Sequence, residues 1–116
     1  MANIQIKRIY DMRAKTDGVR ILVDRLWPRG VSKEEAHLDS WMKDIAPSPE
    51  LRTWFDHKPE KFEAFSERYI AELIHRPAIK EMKLFISKHK TVTLLYGAKS
   101  PTINHAVVLQ KFLSKL

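Results

Sequence analysis

A chain of 116 residues with no cysteine and a formal charge of +7 excludes several classes of protein at once. Disulfide scaffolds, thiolate metal centres and cysteine nucleophiles are ruled out, and no run of about 18 apolar residues offers a membrane span. The length suits one domain over residues 1–116, burying roughly two-thirds of the surface that its unfolded chain exposes.

The N-terminal stretch MANIQIKRIYD lacks the apolar core of a signal peptide, so a cytoplasmic protein is expected, with no membrane partner. The charge is segregated. Residues 1–33 carry eight Lys or Arg against three acids, residues 34–75 five against ten, and residues 76–116 eight against one. Such a balance fits a polyanion partner, nucleic acid included, or simple solubility.

In chain order, IQIKRIY (residues 4–10) alternates Ile4 and Ile6 with Gln5 and Lys7 and reads as a strand. DMRAKTDG follows as a loop closing on the turn pair Asp17-Gly18. VRILVDRLW (residues 19–27) reads as a second, more apolar strand, ended by Pro28 and Gly30. An eight-residue loop is long for a hairpin, so pairing of these two strands stays open. Ser32 is placed to cap a short helix over KEEA. LDSWMKDI is ambiguous: Leu38, Trp41, Met42 and Ile45 fit helical spacing, and a short strand fits as well, so residues 36–45 are left as either.

Ser48 and Pro49 form a cap-plus-proline helix start. Phe62, Phe65, Tyr69 and Leu73 share one face of a helix over residues 59–75. Pro77 opens another helix, turning Ile79, Met82, Phe85 and Ile86 inward. TVTLLYGA (residues 91–98) reads as a strand buried on both faces. Ser100-Pro101 repeats the cap-plus-proline pattern and predicts a last helix from there to about Lys115. Helices separate the second strand from the last, so these two should be parallel and joined by a right-handed crossover. The fold class is α/β: a single small domain whose short sheet has at least two parallel strands, near 19–27 and 91–96, packed by helices.

In open parallel sheets, ligands bind outside the carboxyl ends of the strands. Two polar motifs fall there. In LVDRLWPRG, Asp24 can accept a proton or orient an arginine. Arg25 and Arg29 can grip a phosphate or carboxylate, and Trp27 can stack on a ring. Strict alternation would set Asp24 on the face opposite Arg25 and Trp27, unless the strand twists or ends early. The plainer reading has Asp24 paired with Arg25 or Arg20 and Trp27 in the core.

In LLYGAKSPTINHA, a strand end and a helix start expose backbone N–H groups that attract anions. Tyr96, Lys99, Ser100 and Asn104 are candidate ligand contacts there, and His105 a candidate base. The phosphate-loop pattern is absent. Catalysis would need Asp24 or His105 as base, with Arg29 and Lys99 stabilising developing charge. His37, His57, His75, His89 and His105 show no metal-ligand spacing, so neither metal nor cofactor is expected. Trp41, Trp54 and Phe55 are expected in the core.

RILVDRLWPRGVSKE, WMKDIAPSPELRTWF and TLLYGAKSPTINHAVVL together resemble the YeaO-like branch of the domain-of-unknown-function family 488, nearly end to end. The resemblance implies a small α/β protein and no established activity. It implies an Asp-x-Arg type motif after an early strand, matched loosely at Asp24 and Pro28. It also implies a Cys-His-Arg triplet at a late helix start. Asn104-His105-Ala106 stands there instead, and Tyr96 stands where many members carry a strand-end cysteine, so thiol chemistry does not carry over. Only His105 does, with Arg29 or Lys99 as spatial replacements for the lost arginine.

Three functions follow as expectations. The first is binding of an anionic small molecule, a nucleotide or phosphate ester, at the strand C-terminal edge, with catalysis left open. It requires Arg29 and His105 to share one pocket. The second is a nucleic-acid-binding module using the basic terminal segments. The third is a non-catalytic protein-interaction domain using the tryptophan-rich middle. The oligomeric state is not legible.

Overall fold

The apolar run TVTLLY lies at the centre of the sheet in the computed structural model, which describes residues 3–115. As β4 (Thr91–Tyr96) it is buried from Val92 onward, as a parallel strand covered on both faces must be. β1 (Asn3–Arg8) pairs with it on one side and β2 (Val19–Leu22) on the other, and β3 (Ser40–Trp41) lies outside β2. The order is β1-β4-β2-β3 and every pairing is parallel. Ile4 stands opposite Val92, and Ile21 opposite Leu94 and Ser40.

Alternation along the strands sorts the core into two layers. Ile21, Val23, Val92, Leu94 and Tyr96 pack with residues of α2 (Pro49–Phe55), α3 (Phe62–Ile74), α4 (Pro77–Ser87) and α5 (His105–Ser114). Leu22 and Leu95 face the other way, onto Ile9 and onto Ala36 of α1 (Lys33–Ala36), with Trp27, Val31 and Leu38 partly covering them. Phe55 of α2 stacks on Phe65 of α3 at 4.2 Å and lies 6.0 Å from Phe62, an aromatic contact between the two helices.

The link from β1 to β2 is held by buried charge. Arg20, 3% exposed, donates to an Asp17 carboxylate oxygen at 2.5 Å and to the Ala36 carbonyl from both Nε and a terminal nitrogen. Asp17 also accepts from Lys7 at 2.6 Å and from the Ala14 N–H at 3.0 Å. Burial alone would raise the Asp17 pKa, but the Ala14 N–H, Lys7 and Arg20 outweigh it and hold the carboxyl below its usual range. Gly18 follows at φ +65, where a Cβ would run into the backbone of Thr91, so the turn needs glycine.

The structure answers the points left open and corrects others. The pairing left open is answered: the first two strands form no hairpin, because β4 lies between them. The second strand stops at Leu22 rather than running to residue 27: its last sheet hydrogen bond is Val23 N–H to the Leu95 carbonyl at 3.0 Å. Residues 36–45 hold both a two-residue strand and a 3-10 turn, Lys43–Ile45. A further 3-10 turn, Pro59–Lys61, precedes α3.

The last helix begins at His105, not at Ser100. The Ser100 hydroxyl oxygen closes a local turn instead, accepting from the N–H of Ile103 at 2.9 Å and Thr102 at 3.3 Å. Asn104 is the cap instead, its Oδ1 accepting from Val107 N–H at 3.0 Å. Trp41 is not core: it is 38% exposed on the edge strand, set edge-on to Trp27 at 5.4 Å. Among the described residues, no helix is long and apolar enough to cross a membrane.

Candidate functional site

Because β2 ends at Leu22, residues 23–31 leave the sheet and are released from strand alternation. They turn over the carboxyl edge of β4 toward Gly97–His105. The Ile45–Pro47 turn and the end of α2 complete a cleft of about 370 Å³, within the range of small-ligand sites. Asp24, Arg25, Trp27, Arg29, Asn104 and His105 all line it. Arg29 and His105 thus share one pocket, and the early end of the strand is what lets Asp24, Arg25 and Trp27 do so as well.

Asp24 ties the two strand ends together. One carboxylate oxygen accepts from Gly97 N–H at 2.8 Å. The other lies 3.2 Å from His105 Nε2 and receives no hydrogen bond. That same nitrogen lies 3.0 Å from the Val23 carbonyl, which can only accept, so the ring hydrogen sits on Nε2. The Nδ1 side of the ring is left for other partners. The Asp24 carbonyl accepts from the Trp41 indole at 2.7 Å. The sequence alternative, Asp24 paired with Arg20 or Arg25, does not occur: Arg20 belongs to Asp17.

Arg25 reaches across to the Ala46 and Pro47 carbonyls at 3.2 and 3.3 Å, and its buried Nε has no partner. It shares that turn with Tyr69 of α3 and with Arg76, which precedes α4. Tyr69 hydroxyl donates to the Ile45 carbonyl at 2.7 Å, and Arg76 donates to the carbonyls of Asp44 and Ala46. Burial pushes the Tyr69 hydroxyl far above the phenol range, so it acts only as a neutral donor. The cleft wall is therefore fixed from three sides.

The remaining candidates divide. Trp27 lines the cleft with its indole N–H held by the Val31 carbonyl at 2.7 Å. Arg29 is exposed, its carbonyl accepting from Tyr10 hydroxyl at 3.0 Å. Asn104, 2% exposed, has both ends of its amide engaged, with Nδ2 donating to the Ser100 carbonyl at 2.8 Å. Lys99 and Ser100 line an adjoining depression instead. Tyr96 lines neither: it lies in the core, where burial, with Asp11 nearby, raises its pKa.

The sequence reading missed Arg52 and His57, both on the cleft wall. Arg52 is on the last turns of α2. Asp56 and His57 then take left-handed backbone at φ +49 and +55, which swings His57 over the cleft mouth. Asp and His tolerate that region better than most residues, so the DHKP stretch carried a faint signal of a sharp turn. Of the aromatic middle segment, Phe55 is buried, Trp54 is half-buried beneath Arg68 and Lys61 at 4.0 and 4.8 Å, and only Trp41 is exposed.

The walls carry Arg25, Arg29, Arg52, His57 and His105 against a single carboxylate, Asp24. They contain no serine, threonine, cysteine, lysine or tyrosine. The cleft can grip an anion and shield a ring, and it holds no side-chain hydroxyl, thiol or amine to act as a nucleophile. Among the described residues no three His, Asp or Glu side chains come together as a metal set.

Residues 3–116 match the family model described as "Inactive DUF488-N3 subclade". The chain is 47% identical over 114 residues to the uncharacterized protein YeaO of Escherichia coli, covering 98% of this chain and 99% of that one. It is 37% identical over 111 residues to the uncharacterized protein Rv3073c of Mycobacterium tuberculosis, covering 96% and 93%. No solved structure matches.

Proposed function

From membership of the chain in the DUF488 family, in its inactive N3 subclade, we propose that it is a binding protein, not an enzyme, for a small anionic ligand of the nucleotide or phosphate-ester class. The observation that carries the reading is the charge of the cleft. Arg29 and Arg52 are exposed at its rim, Arg25 has an unpartnered buried Nε, and the one carboxylate already accepts from Gly97. Planar guanidinium groups suit phosphate oxygens, and the Trp27 and Phe55 walls suit a ring. The subclade's description supports an absence of turnover, as does the lack of a hydroxyl, thiol or amine nucleophile on the walls. Asp24 and His105, the pair with the right chemistry for a base, then act as braces between the two strand ends.

The test is thermal stability in the presence of phosphate, sulfate, adenosine 5′-monophosphate and guanosine 5′-monophosphate. A ligand at a hundredfold excess over its Kd adds about 2.7 kcal/mol, several degrees for a domain of this size. The shift should be lost in Arg29→Ala and Arg52→Ala, and no phosphate should be released on long incubation with a bound ester. A panel with no shift from any small anion ends the reading.

A second reading, nucleic-acid binding, is supported by the opposite pole. Asn3 N–H donates to the Lys90 carbonyl at 2.7 Å, and Lys83 Nζ lies 5.6 Å from the Phe112 ring. The starts of β1 and β4 and the ends of α4 and α5 are thereby gathered together, bringing Lys88, Lys90, Lys111 and Lys115 to one end. All four are exposed, and none makes an ion pair among the described residues. A shift with polynucleotide alone, vanishing as salt rises, would favour this reading over the cleft.

A further inference from the structure

The arginine cleft does not end at His57. A second depression of about 570 Å³ adjoins it and shares His57, Gly97 and Ala98 as walls, so the two are continuous across one ridge. Lys99 and Ser100 belong only to the second. Lys99 is exposed and makes no ion pair among the described residues. The Ser100 hydroxyl oxygen already accepts from Ile103 and Thr102 N–H, so its own hydrogen is left to donate, with only Thr102 Oγ1 nearby at a long 3.5 Å. No acidic residue lines this depression. The two adjoining depressions therefore offer hydrogen-bond donors with positive charge at two separate places, Arg29 with Arg52 in one and Lys99 with the Ser100 hydroxyl in the other, and the one carboxylate lining them, Asp24, already accepts from Gly97.

We propose that the ligand is bis-anionic: one phosphoryl group lies at Arg29 and Arg52, a second lies at Lys99 and Ser100, and the part joining them crosses the His57–Gly97 ridge. This rests on the anion-binding reading of the cleft and narrows it to molecules whose two phosphates are borne on separate atoms of a sugar or similar spacer. A single phosphate leaves Lys99 and Ser100 idle. Two phosphates joined directly have no spacer to carry them over the ridge.

The experiment is titration calorimetry with adenosine 5′-monophosphate, adenosine 5′-diphosphate and adenosine 3′,5′-bisphosphate, on wild type, Lys99→Ala and Arg52→Ala. Lys99 is exposed, so its variant should fold, and a circular-dichroism melt confirms it. On wild type the bisphosphate should bind roughly tenfold tighter than the monophosphate, the size expected of one added charge-assisted hydrogen bond. Lys99→Ala should abolish that gain and leave the monophosphate within twofold of its wild-type affinity. Arg52→Ala should weaken all three ligands. If the monophosphate binds but the bisphosphate gains nothing, or if Lys99→Ala weakens both alike, the groove holds one anion and the proposal falls while the cleft reading stands. A diphosphate that outbinds the bisphosphate also overturns it. If none of the three binds, both the proposal and the cleft reading fail.

Discussion

Asp17 and Arg20 show how a single residue pair governs this fold. Both are 3% exposed, and without Asp17 the Arg20 guanidinium would be a buried charge with only the Ala36 carbonyl beside it. Removing one partner of such a pair costs about 3–5 kcal/mol, so Asp17→Asn should lower the unfolding free energy read from urea denaturation by about that much at pH 7. Because the Asp17 pKa is held below its unfolded value near 4, its stabilisation is present at neutral pH and is lost as pH falls through the folded value. The wild type should lose stability on acidification below about pH 4, and Asp17→Asn should lose less there. An identical acid slope in both would place the acid-sensitive group elsewhere.

Gly97 is a second position where one atom matters. A Cβ there would sit 3.0 Å from the Asp24 carboxylate. Gly97→Ala should therefore displace Asp24 and weaken anion binding while costing the fold only about 1–3 kcal/mol; calorimetry beside a thermal melt separates the two effects.

At the scale of elements, the local rules held where the sequence supplied every partner within a few residues. Ser32 and Glu35 form a reciprocal capping box on α1, and Ser48 with Pro49 starts α2. The same cap-plus-proline pattern failed at Ser100. There the serine closes a turn of its own, and the deeper Asn104 takes the cap. Asn104→Ala should cost about 2 kcal/mol or slightly more, losing the cap and the bond to the Ser100 carbonyl. Ser100→Ala should cost well under half of that. A thermal melt in which Ser100→Ala is the more damaging would reassign the helix start. Strand length failed for a related reason: VRILVDRLW is apolar enough to extend to Trp27, but β2 can be no longer than the partner beside it, and β4 ends at Tyr96.

At the scale of the molecule, the strand polarity separates two functions in space. All four strands point their carboxyl ends toward the arginine cleft, while the lysines after α4 and on α5 lie at the other end. Lys88→Glu with Lys90→Glu should therefore abolish any salt-sensitive polynucleotide binding and leave small-anion shifts in place. Arg52→Ala should do the reverse. Loss of both activities in either variant would mean that one surface serves both.

What the sequence determined by itself was local or compositional: a single α/β domain, helix starts with their own caps, the buried centre strand, and the polar motifs at two strand ends. Family membership was also legible, because DRLWPRG and the late NHA carry it in order along the chain. Tertiary structure alone decided the strand order, since placing β4 between β1 and β2 depends on partners 73 and 88 residues apart. It also decided which motif residues became neighbours. Asp24 meets Gly97 and His105 only because parallel pairing brings both strand ends to one edge. Arg52 and His57 reach the cleft through a helix end and two left-handed residues, a path that no periodicity encodes. Local hydrogen bonds and hydrophobic period are written in adjacent residues; a cleft is made by contacts between residues far apart in the chain, and those exist only once the sheet has formed.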